Sequence, residues 1–182
     1  MPKIVDHDKK REEIALKAAT IFLEFGYKDL GMRQLCTHLN MSKSAVYHYF
    51  KSKDALFRAS TEAMVKFDEL VLANNPLANT ANLDEKVNNF IQIFNILAPR
   101  HFQEMKLVME YIDVIGQEQV AQDSNMILAN DKYQSLLASY VDDTQPEVLY
   151  TLLLGLLTQQ VVSGKSASRE SISSLVEKHL AL

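Results

Sequence analysis

The most regular hydrophobic pattern in the chain lies between Gly26 and Lys53 and has the spacing of two short helices. Its first stripe fits a helix of about eight residues, at positions i, i+3, i+4 and i+7, and consists of Met32, Leu35, Cys36 and Leu39. Asn40 follows, and asparagine tolerates the left-handed backbone with which a helix ends sharply. Ser42 then has a side chain that caps a second helix by accepting a backbone N–H. The pattern therefore predicts two short helices joined by a tight turn.

The second of these helices has an apolar and a polar side. The positions expected to face the interior are Ala45, Val46, Tyr49 and Phe50. The positions left facing outward are Lys43, Ser44, Tyr47 and His48. A helix of this size, preceded by a helix and a turn, fits the major groove of B-DNA and brings the side chains of its first turn to the base edges. The pattern therefore indicates a DNA-binding helix–turn–helix.

Helical spacing continues through the rest of the chain, and no strand pattern or internal repeat is visible. One helix precedes the helix–turn–helix and ends at Gly26, and further helices are predicted to begin at Ser52, Leu83, Arg100, Glu118, Glu147 and Ser168. The helix from Arg100 is apolar on most sides and is expected to be buried. We therefore predict an all-α fold of about nine helices, with a three-helix domain over residues 1–51 and a helical bundle over residues 52–182.

The two C-terminal helices predict self-association. The segment Glu147–Ser163 is apolar almost all round, whereas a helix that is covered on one side needs only one apolar side. Residues 168–182 form an amphipathic helix. A second copy of the chain supplies a partner for the surplus apolar side. Burial of both helices within one protomer is the alternative.

Charge is distributed unevenly along the chain. The formal net charge is −4, but residues 1–60 contain 11 Lys and Arg against 7 Asp and Glu, whereas the remaining residues contain 8 against 16. A basic end and an acidic body orient a protein on a polyanion. The single cysteine excludes an internal disulfide and fits a reducing cytoplasm.

The sequence contains few groups suited to catalysis. No nucleophile elbow, Walker loop or H-E-x-x-H motif is present. The five histidines are scattered and have no metal-ligand spacing with the lone cysteine. We therefore predict that the protein is not an enzyme and binds neither a metal nor a cofactor.

Residues 9–60 resemble the DNA-binding domain of TetR-family transcriptional regulators. The resemblance rests on Gly26-Tyr27, Leu35-Cys36, Ser42-Lys43, Val46-Tyr47-His48-Tyr49-Phe50, Ser52-Lys53 and Leu56-Phe57. It implies a sequence-specific regulator, usually a repressor, that binds a palindromic operator as a homodimer joined through its two C-terminal helices. It also implies that a small-molecule effector, bound in the regulatory domain formed by residues 52–182, releases the protein from DNA.

The resemblance and the exposed positions together nominate the DNA-binding residues, which are Arg33, Ser42, Lys43, Ser44, Ala45, Tyr47, His48, Tyr49 and Lys53. Lys43 and Ser44 are expected at base edges, with Ala45 near a thymine methyl. Ser42 and Lys53 are expected at phosphates. The family usually has Gly-Thr where Ser44-Ala45 stands, so the operator sequence does not follow from relatives.

Aromatic, Met and polar residues in the middle of the chain are candidates for an effector pocket. They are Phe90, Phe94, Met105, Met109, Tyr111, Ile112, Asn130, Tyr133 and Leu153. Helical bundles commonly host ligands between their helices, and Met suits adaptable apolar walls. The alternative is that these side chains only fill the core. No acidic or basic cluster stands out among them, so a mostly apolar effector is expected.

Two other classes of function compete with this interpretation. One is a TetR-shaped DNA-binding protein that acts through a protein partner without an effector, for which an exposed apolar patch would be the sign. The other is an enzyme built in a helical bundle, which would need clustered ionisable groups in the C-terminal half.

Overall fold

A computed structural model describes residues 6–142 and 144–180, and this part of the chain is helical without strands. Its nine α-helices are α1 (His7–Phe25), α2 (Met32–His38), α3 (Lys43–Tyr49), α4 (Lys53–Leu72), α5 (Leu83–Leu97), α6 (His101–Ile115), α7 (Ser124–Tyr140), α8 (Pro146–Ser163) and α9 (Arg169–Leu180). The predicted all-α fold is therefore confirmed. Residues 1–5, 143, 181 and 182 lie outside the described residues.

The chain forms two compact units with interleaved segments. Unit 1 consists of residues up to 66 together with 103–129, and unit 2 consists of 67–102 together with the residues from 130 onward. The sequence prediction instead divides the chain once by function, after residue 51, and that functional division stays a prediction. None of the described helices is both long enough and apolar enough to span a bilayer.

Local signals set the helix ends in unit 1, and the stop at Gly26 and the left-handed turn at Asn40 are as the sequence predicts. Asp6 caps α1, because its side chain accepts the backbone N–H of Lys9 at 3.2 Å. Gly26 ends α1 with φ +79°, and its N–H donates to the carbonyl of Phe22 at 2.9 Å. Asn40 adopts the expected left-handed conformation with φ 53°, a region that few side chains other than Asn and Asp tolerate.

Unit 1 has its own hydrophobic core around the first four helices. Its buried members include Ile14, Phe22, Tyr27, Leu35, Cys36, Val46, Phe50, Leu56 and Phe57. Tyr111 of α6 also belongs to this cluster and is 3% exposed. The helix–turn–helix therefore packs on α1 and α4 and on side chains from α6 and the start of α7, which are distant in sequence.

Unit 2 has a second core, formed chiefly by α5, α7, α8 and α9. Asn82 and Glu85 cap the start of α5 reciprocally, each side chain accepting the backbone N–H of the other residue. Buried Asn89 donates to the carbonyls of Pro76 and Tyr140 at 2.8 and 2.6 Å. Its amide thus satisfies backbone carbonyl groups that would otherwise be costly to bury.

Two expectations about the middle of the chain are wrong. The segment predicted as one helix from Glu118 is divided, because Gln117–Gln122 is a 3₁₀ helix and α7 begins at Ser124. Gly116 (φ +88°) and the Asp123 carboxylate, which accepts the N–H groups of residues 125 and 126, mark the two breaks. The helix α6 is also not a buried helix, since its Met109 is 60% exposed.

Candidate nucleic-acid interface

The start of α3 is a capped and exposed helix N-terminus. Ser42 accepts the backbone N–H of Ala45 at 3.2 Å, as the sequence predicts. The side chains of Lys43 and Ser44 are exposed in the first turn, and the Ser44 hydroxyl lies 3.1 Å from the hydroxyl of Ser42. A capped N-terminus with basic and hydroxyl side chains suits contact with phosphates and base edges.

The opposite side of α3 is fixed in the core of unit 1. Val46 is completely buried and Phe50, at the end of the helix, is 1% exposed, while Ala45 and Tyr49 are half-buried. The guanidinium of Arg11 lies 4.7 Å from the centre of the Phe50 ring. These contacts hold α3 with Lys43, Ser44 and His48 outward, as predicted, whereas Tyr47, which is predicted to face outward, is half-buried.

Two of the outward aromatic residues contact their neighbours on α3 and α1. The ring of half-buried Tyr47 lies 5.5 Å from the ammonium of Lys43. The exposed His48 ring lies 5.0 Å from Tyr49 and 5.1 Å from His7, measured between ring centres. These contacts limit the rotamers of residues predicted to touch DNA.

The ammonium of Lys53 makes contacts within unit 1, whereas a lysine that only binds phosphate would point freely into solvent. Its ammonium donates to the carbonyl of Tyr27 at 2.9 Å and lies 3.9 Å from the centre of the Tyr27 ring. Burial lowers the pKa of Lys53, because desolvation disfavours the charged form. An ammonium has three donors, so two N–H groups remain beyond the one given to Tyr27. The neighbouring Ser52 caps α4 as predicted, accepting the N–H of Ala55 at 3.0 Å.

Arg33, the remaining predicted DNA contact, is exposed on α2. Its helix begins after Gly31, whose N–H donates to the Gln34 side chain at 2.8 Å. A glycine has no side chain with which to cap the helix. The structure places Arg33 on a different helix of unit 1 from the α3 residues and leaves its contact with DNA as a prediction.

Sequence reasoning missed a carboxylate that fixes the connection between α1 and α2. Glu110 of α6 accepts the backbone N–H of Tyr27 at 2.9 Å and that of Lys28 at 3.4 Å. Gly26 has φ +79°, which other residues rarely adopt, and a Cβ there would lie 2.1 Å from a Glu110 carboxylate oxygen, so a larger residue would strain the backbone and displace this carboxylate. No local pattern signals this contact, because the partners are 83 residues apart in the chain.

An aromatic cluster supports the same connection. The Tyr27, Phe57 and Tyr111 rings lie 4.8–5.0 Å apart between centres. The Tyr27 hydroxyl donates to Asp54, and burial together with this hydrogen bond raises the pKa of Tyr27. The Tyr111 hydroxyl donates to Asp123 and accepts from Asn125. The cluster therefore joins the α1–α2 connection, α4, α6 and the start of α7 within unit 1.

The nine candidate effector-binding residues do not belong to one compact unit. Met105, Met109, Tyr111 and Ile112 belong to unit 1, whereas Phe90, Phe94, Asn130, Tyr133 and Leu153 belong to unit 2. Phe90, Phe94 and Leu153 are at most 2% exposed in the core of unit 2. Asn130 is exposed and accepts from the Tyr150 hydroxyl at 3.2 Å. Such burial is what the core interpretation predicts, and a role in ligand binding stays a prediction.

Unit 2 also contains a buried ion pair that the sequence did not reveal. Asp68 is 1% exposed and accepts two hydrogen bonds from the guanidinium of Arg100, one of them at 2.9 Å. The same guanidinium lies 3.4 Å from the Tyr133 hydroxyl. A charge-assisted pair with both oxygens engaged is how a carboxylate is accommodated away from water.

Comparison with known proteins finds a family match in the region that contains the helix–turn–helix. The model of the bacterial regulatory proteins of the tetR family matches residues 14–60. The chain is 40% identical over 70 residues to the HTH-type transcriptional repressor Rv1474c of Mycobacterium tuberculosis (strain ATCC 25618 / H37Rv), covering 35% of this chain and only 37% of that protein. It is 24% identical over 197 aligned positions to the HTH-type transcriptional regulator PksA of Bacillus subtilis (strain 168), covering 99% of this chain and 92% of PksA.

A solved structure has the same fold over most of the chain. The multidrug binding protein EbrR, solved in complex with imidazole, superposes with a TM-score of 0.68 at 17% identity and covers 94% of this chain and 90% of its own. Identity this low establishes the shared fold and not a shared ligand. The family match over residues 14–60 identifies this region as a DNA-binding helix–turn–helix domain of the tetR family of bacterial regulatory proteins, and a transcriptional regulator that aligns along nearly the whole chain is among its relatives.

Proposed function

We propose that the protein is a cytoplasmic repressor that binds a palindromic operator as a homodimer and is released by a small-molecule effector. The observation that carries the proposal is the capped N-terminus of α3, where Lys43 and Ser44 are exposed while Val46 is completely buried. Two copies of such a helix read two half-sites that lie one turn of duplex, or a multiple of it, apart. An effector that binds the DNA-free state better by a few kcal/mol shifts the population away from the operator.

The proposed DNA-binding residues have two roles, contact with base edges and contact with phosphates. We assign Lys43 and Ser44, with Ala45 beside them, to base edges, and Ser42, Tyr47, Tyr49 and Lys53 to phosphates or nearby bases. Arg33 and His48 are assigned to the rim of the same surface. The effector is proposed to be mostly apolar and to contact Met and aromatic residues from the nine candidates.

Selection of binding sequences from a random duplex library tests the proposal. The expected result is a palindrome bound by two protomers, with an affinity that falls steeply between low and moderate salt because several phosphates release counterions. A protein that binds without sequence preference, or whose affinity is unchanged by salt, contradicts this mode of binding. A reporter placed behind the selected operator shows whether occupancy lowers transcription.

Two substitutions separate the assigned roles. Lys53→Ala should weaken binding to all sequences alike, whereas Ser44→Ala should change which base is preferred at one position of each half-site. Because Lys53 also contacts Tyr27, the unfolding free energy of the Lys53 variant is measured beside its affinity. A change of sequence preference in the Lys53 variant would show that the two roles are assigned the wrong way round.

One observation favours the second candidate, a DNA-binding protein that acts through a protein partner without an effector. Phe67, Leu70 and Val71 follow each other along α4 and are 46%, 66% and 52% exposed. Grouped apolar side chains at a surface are typical of protein contacts. A small-molecule screen by thermal shift separates the candidates, since an effector raises the melting temperature by mass action, whereas a protein partner would leave the screen without a hit.

A further inference from the structure

Two histidines from different helices form a pair on the surface of unit 1. The ring centres of His7, the first residue of α1, and His48, near the end of α3, lie 5.1 Å apart. The Tyr49 ring lies 5.5 Å from His7 and 5.0 Å from His48. Both histidine side chains are exposed, so their imidazoles are accessible to a ligand from solution.

The histidine pair lies beside the side chains proposed to read DNA. Ser44 and His48 are four residues apart on α3, so they share one face of the helix and lie about one turn apart. His7 extends this surface from α3 to the start of α1. In helix–turn–helix complexes the bases are read within the groove, while adjoining parts of the domain contact the phosphates that border it. A backbone phosphate is therefore the part of DNA expected at the histidine pair.

The residues next to the pair in sequence are predominantly basic, and several already have contacts. Asp6 accepts the backbone N–H of Lys9. Lys51 donates to the carbonyl of Tyr47 at 3.0 Å, and the ammonium of Lys43 lies 5.5 Å from the centre of the Tyr47 ring. The charged residues within four positions of either histidine are Asp6, Asp8, Lys9, Lys10, Arg11 and Lys51. Cations outnumber carboxylates in this set, so the local charge attracts an anion.

The other helices near the pair contribute charges that are placed elsewhere or paired. The helix α2 packs against both α1 and α3 and carries Arg33 and His38. The His38 ring lies 4.2 Å from Phe25, at the opposite end of α1 from the histidine pair. On α4, Lys66 is paired with Glu12 at 2.6 Å. The charge at the pair itself therefore depends on its two imidazoles.

The two imidazoles have a charge that changes near neutral pH. Imidazole is the side chain whose ordinary titration range falls between pH 5 and 8, and its charged form donates from both ring nitrogens. Two imidazolium groups as close as His7 and His48 repel each other, whereas a phosphate that accepts hydrogen bonds from both offsets this repulsion. Protonation of the pair and binding of a phosphate therefore favour each other.

We propose that His7 and His48 together bind one backbone phosphate of the operator as imidazolium ions, so that DNA binding takes up protons and tightens as the pH falls. The inference rests on the proposed function, in which α3 enters the major groove. It adds His7 to the DNA-binding residues and makes operator affinity sensitive to pH.

Operator titrations at pH 6 and pH 8, at one fixed salt concentration, test the inference with the selected palindrome as the probe. The dissociation constant of the parent should be about tenfold lower at pH 6, since one group whose titration shifts by one pH unit on binding gives a tenfold change. Calorimetry in two buffers of different ionisation enthalpy should show proton uptake on binding. An equal affinity at both pH values, or binding without proton uptake, overturns the proposal.

Substitution of the two histidines locates the proton uptake. His7→Gln and His48→Gln should each reduce the ratio of the two dissociation constants to about threefold, and the double variant should bring it near one. The ratio is the readout because a purely structural loss weakens binding at both pH values alike. Circular dichroism at both pH values verifies that the variants are folded. A double variant that keeps the ratio of the parent overturns the proposal.

Two further variants separate a charge effect from a structural one. His7→Arg places a permanent cation at the pair and should bind the operator more tightly than the parent at pH 8, which a role of His7 in packing alone does not predict. His38→Gln is the matched control, because His38 is an exposed histidine of the same unit outside the pair. It should keep the ratio of the parent, and an equal loss of the ratio in this variant contradicts the assignment to the pair.

The outcomes distinguish this inference from the proposed function. A parent that binds a palindrome as a dimer, with a salt dependence but without a pH dependence, retains the proposed function and excludes only the histidine pair as a phosphate site. A parent that binds no duplex with sequence preference at either pH contradicts the proposed function itself.

Discussion

At the scale of single residues, the helix–turn–helix is defined by side chains that satisfy backbone groups close to themselves. Ser42 accepts the N–H of Ala45 at the start of α3, and Asn40 takes the left-handed conformation in the turn before it. Each feature involves residues no more than a few positions apart. They fix the orientation of the first turn of α3, where Lys43 and Ser44 are exposed. The cap and the turn thereby position the proposed DNA-binding surface.

The cap of α3 gives a prediction about stability. Ser42→Ala should lower the free energy of unfolding by about 1 kcal/mol, because one N–H in the first turn loses its acceptor. Ser42→Gly should lower it by only a few tenths of a kcal/mol, since glycine is itself tolerated at this position. Urea unfolding followed by circular dichroism measures both values. Equal losses for the two variants would show that the hydroxyl does not act as a cap.

At the scale of elements, α6 holds the connection between α1 and α2. The Glu110 carboxylate accepts two backbone N–H groups of that connection, and Tyr111 packs against the rings of Tyr27 and Phe57. The connection leads directly into α2, which packs against α3. Part of the support for the helix–turn–helix therefore comes from a helix that follows it by more than 50 residues.

Removal of this carboxylate should have effects at a distance from the DNA-binding surface. Glu110→Ala should lower the free energy of unfolding by about 2 kcal/mol, because two N–H groups lose a charged acceptor. It should also weaken operator binding, since the connection that positions α2 and α3 is loosened. Urea unfolding and DNA titration measure the two effects.

Asp113→Ala is the control for this substitution. Asp113 is an exposed acid on the same helix, three residues further on, and its removal changes the net charge by the same amount. It should leave both stability and operator binding nearly unchanged. Equal weakening of operator binding by the two variants would indicate a general effect of charge and not a specific role of Glu110.

At the scale of the whole molecule, the two units have separate cores and different kinds of buried polar groups. Unit 1 contains the partly buried Tyr27–Asp54 and Tyr111–Asp123 hydrogen bonds, whereas unit 2 contains the pair of buried Asp68 with Arg100. Unit 2 also encloses His101, which is 6% exposed and lies 3.3 Å from the hydroxyl of Thr158. Burial lowers the pKa of His101 below its usual value of 6.5.

The lowered pKa of His101 predicts a loss of stability in weak acid. As the pH falls below 6.5, the unfolded chain takes up a proton on this residue before the folded chain does, so unfolding becomes easier until the pH passes the folded pKa. The contribution is at most about 1.4 kcal/mol per pH unit. His101→Asn should reduce the fall in unfolding free energy between about pH 7.5 and 5.5, measured by urea unfolding.

His38→Asn is the control for this prediction, because His38 is exposed on α2. A reduction of the same size in both variants would show that the burial of His101 is not its cause. If the free energy of unfolding falls equally steeply with pH in the parent and in the His101 variant, groups other than His101 account for the fall.

Much of the fold and part of the candidate site are determined by the sequence itself. The stripe from Met32 to Leu39, the turn at Asn40 and the cap at Ser42 are confirmed, as are the stop of α1 at Gly26 and the inward side of α3. These features follow from hydrogen bonds and periodicities that act within about one helical turn. The interacting groups lie close together in the sequence, so these features can be predicted without the tertiary structure.

The tertiary structure alone decides which distant groups meet. Periodicity shows that α6 has an apolar side but not that Glu110 reaches the N–H groups of Tyr27 and Lys28, 83 and 82 residues away. It likewise does not show that Lys53 turns its ammonium to the Tyr27 carbonyl, or that the nine candidate effector residues divide between two compact units. The physical reason is that a helix repeats its side chains by local geometry, whereas its partner is selected by packing among all helices of the chain.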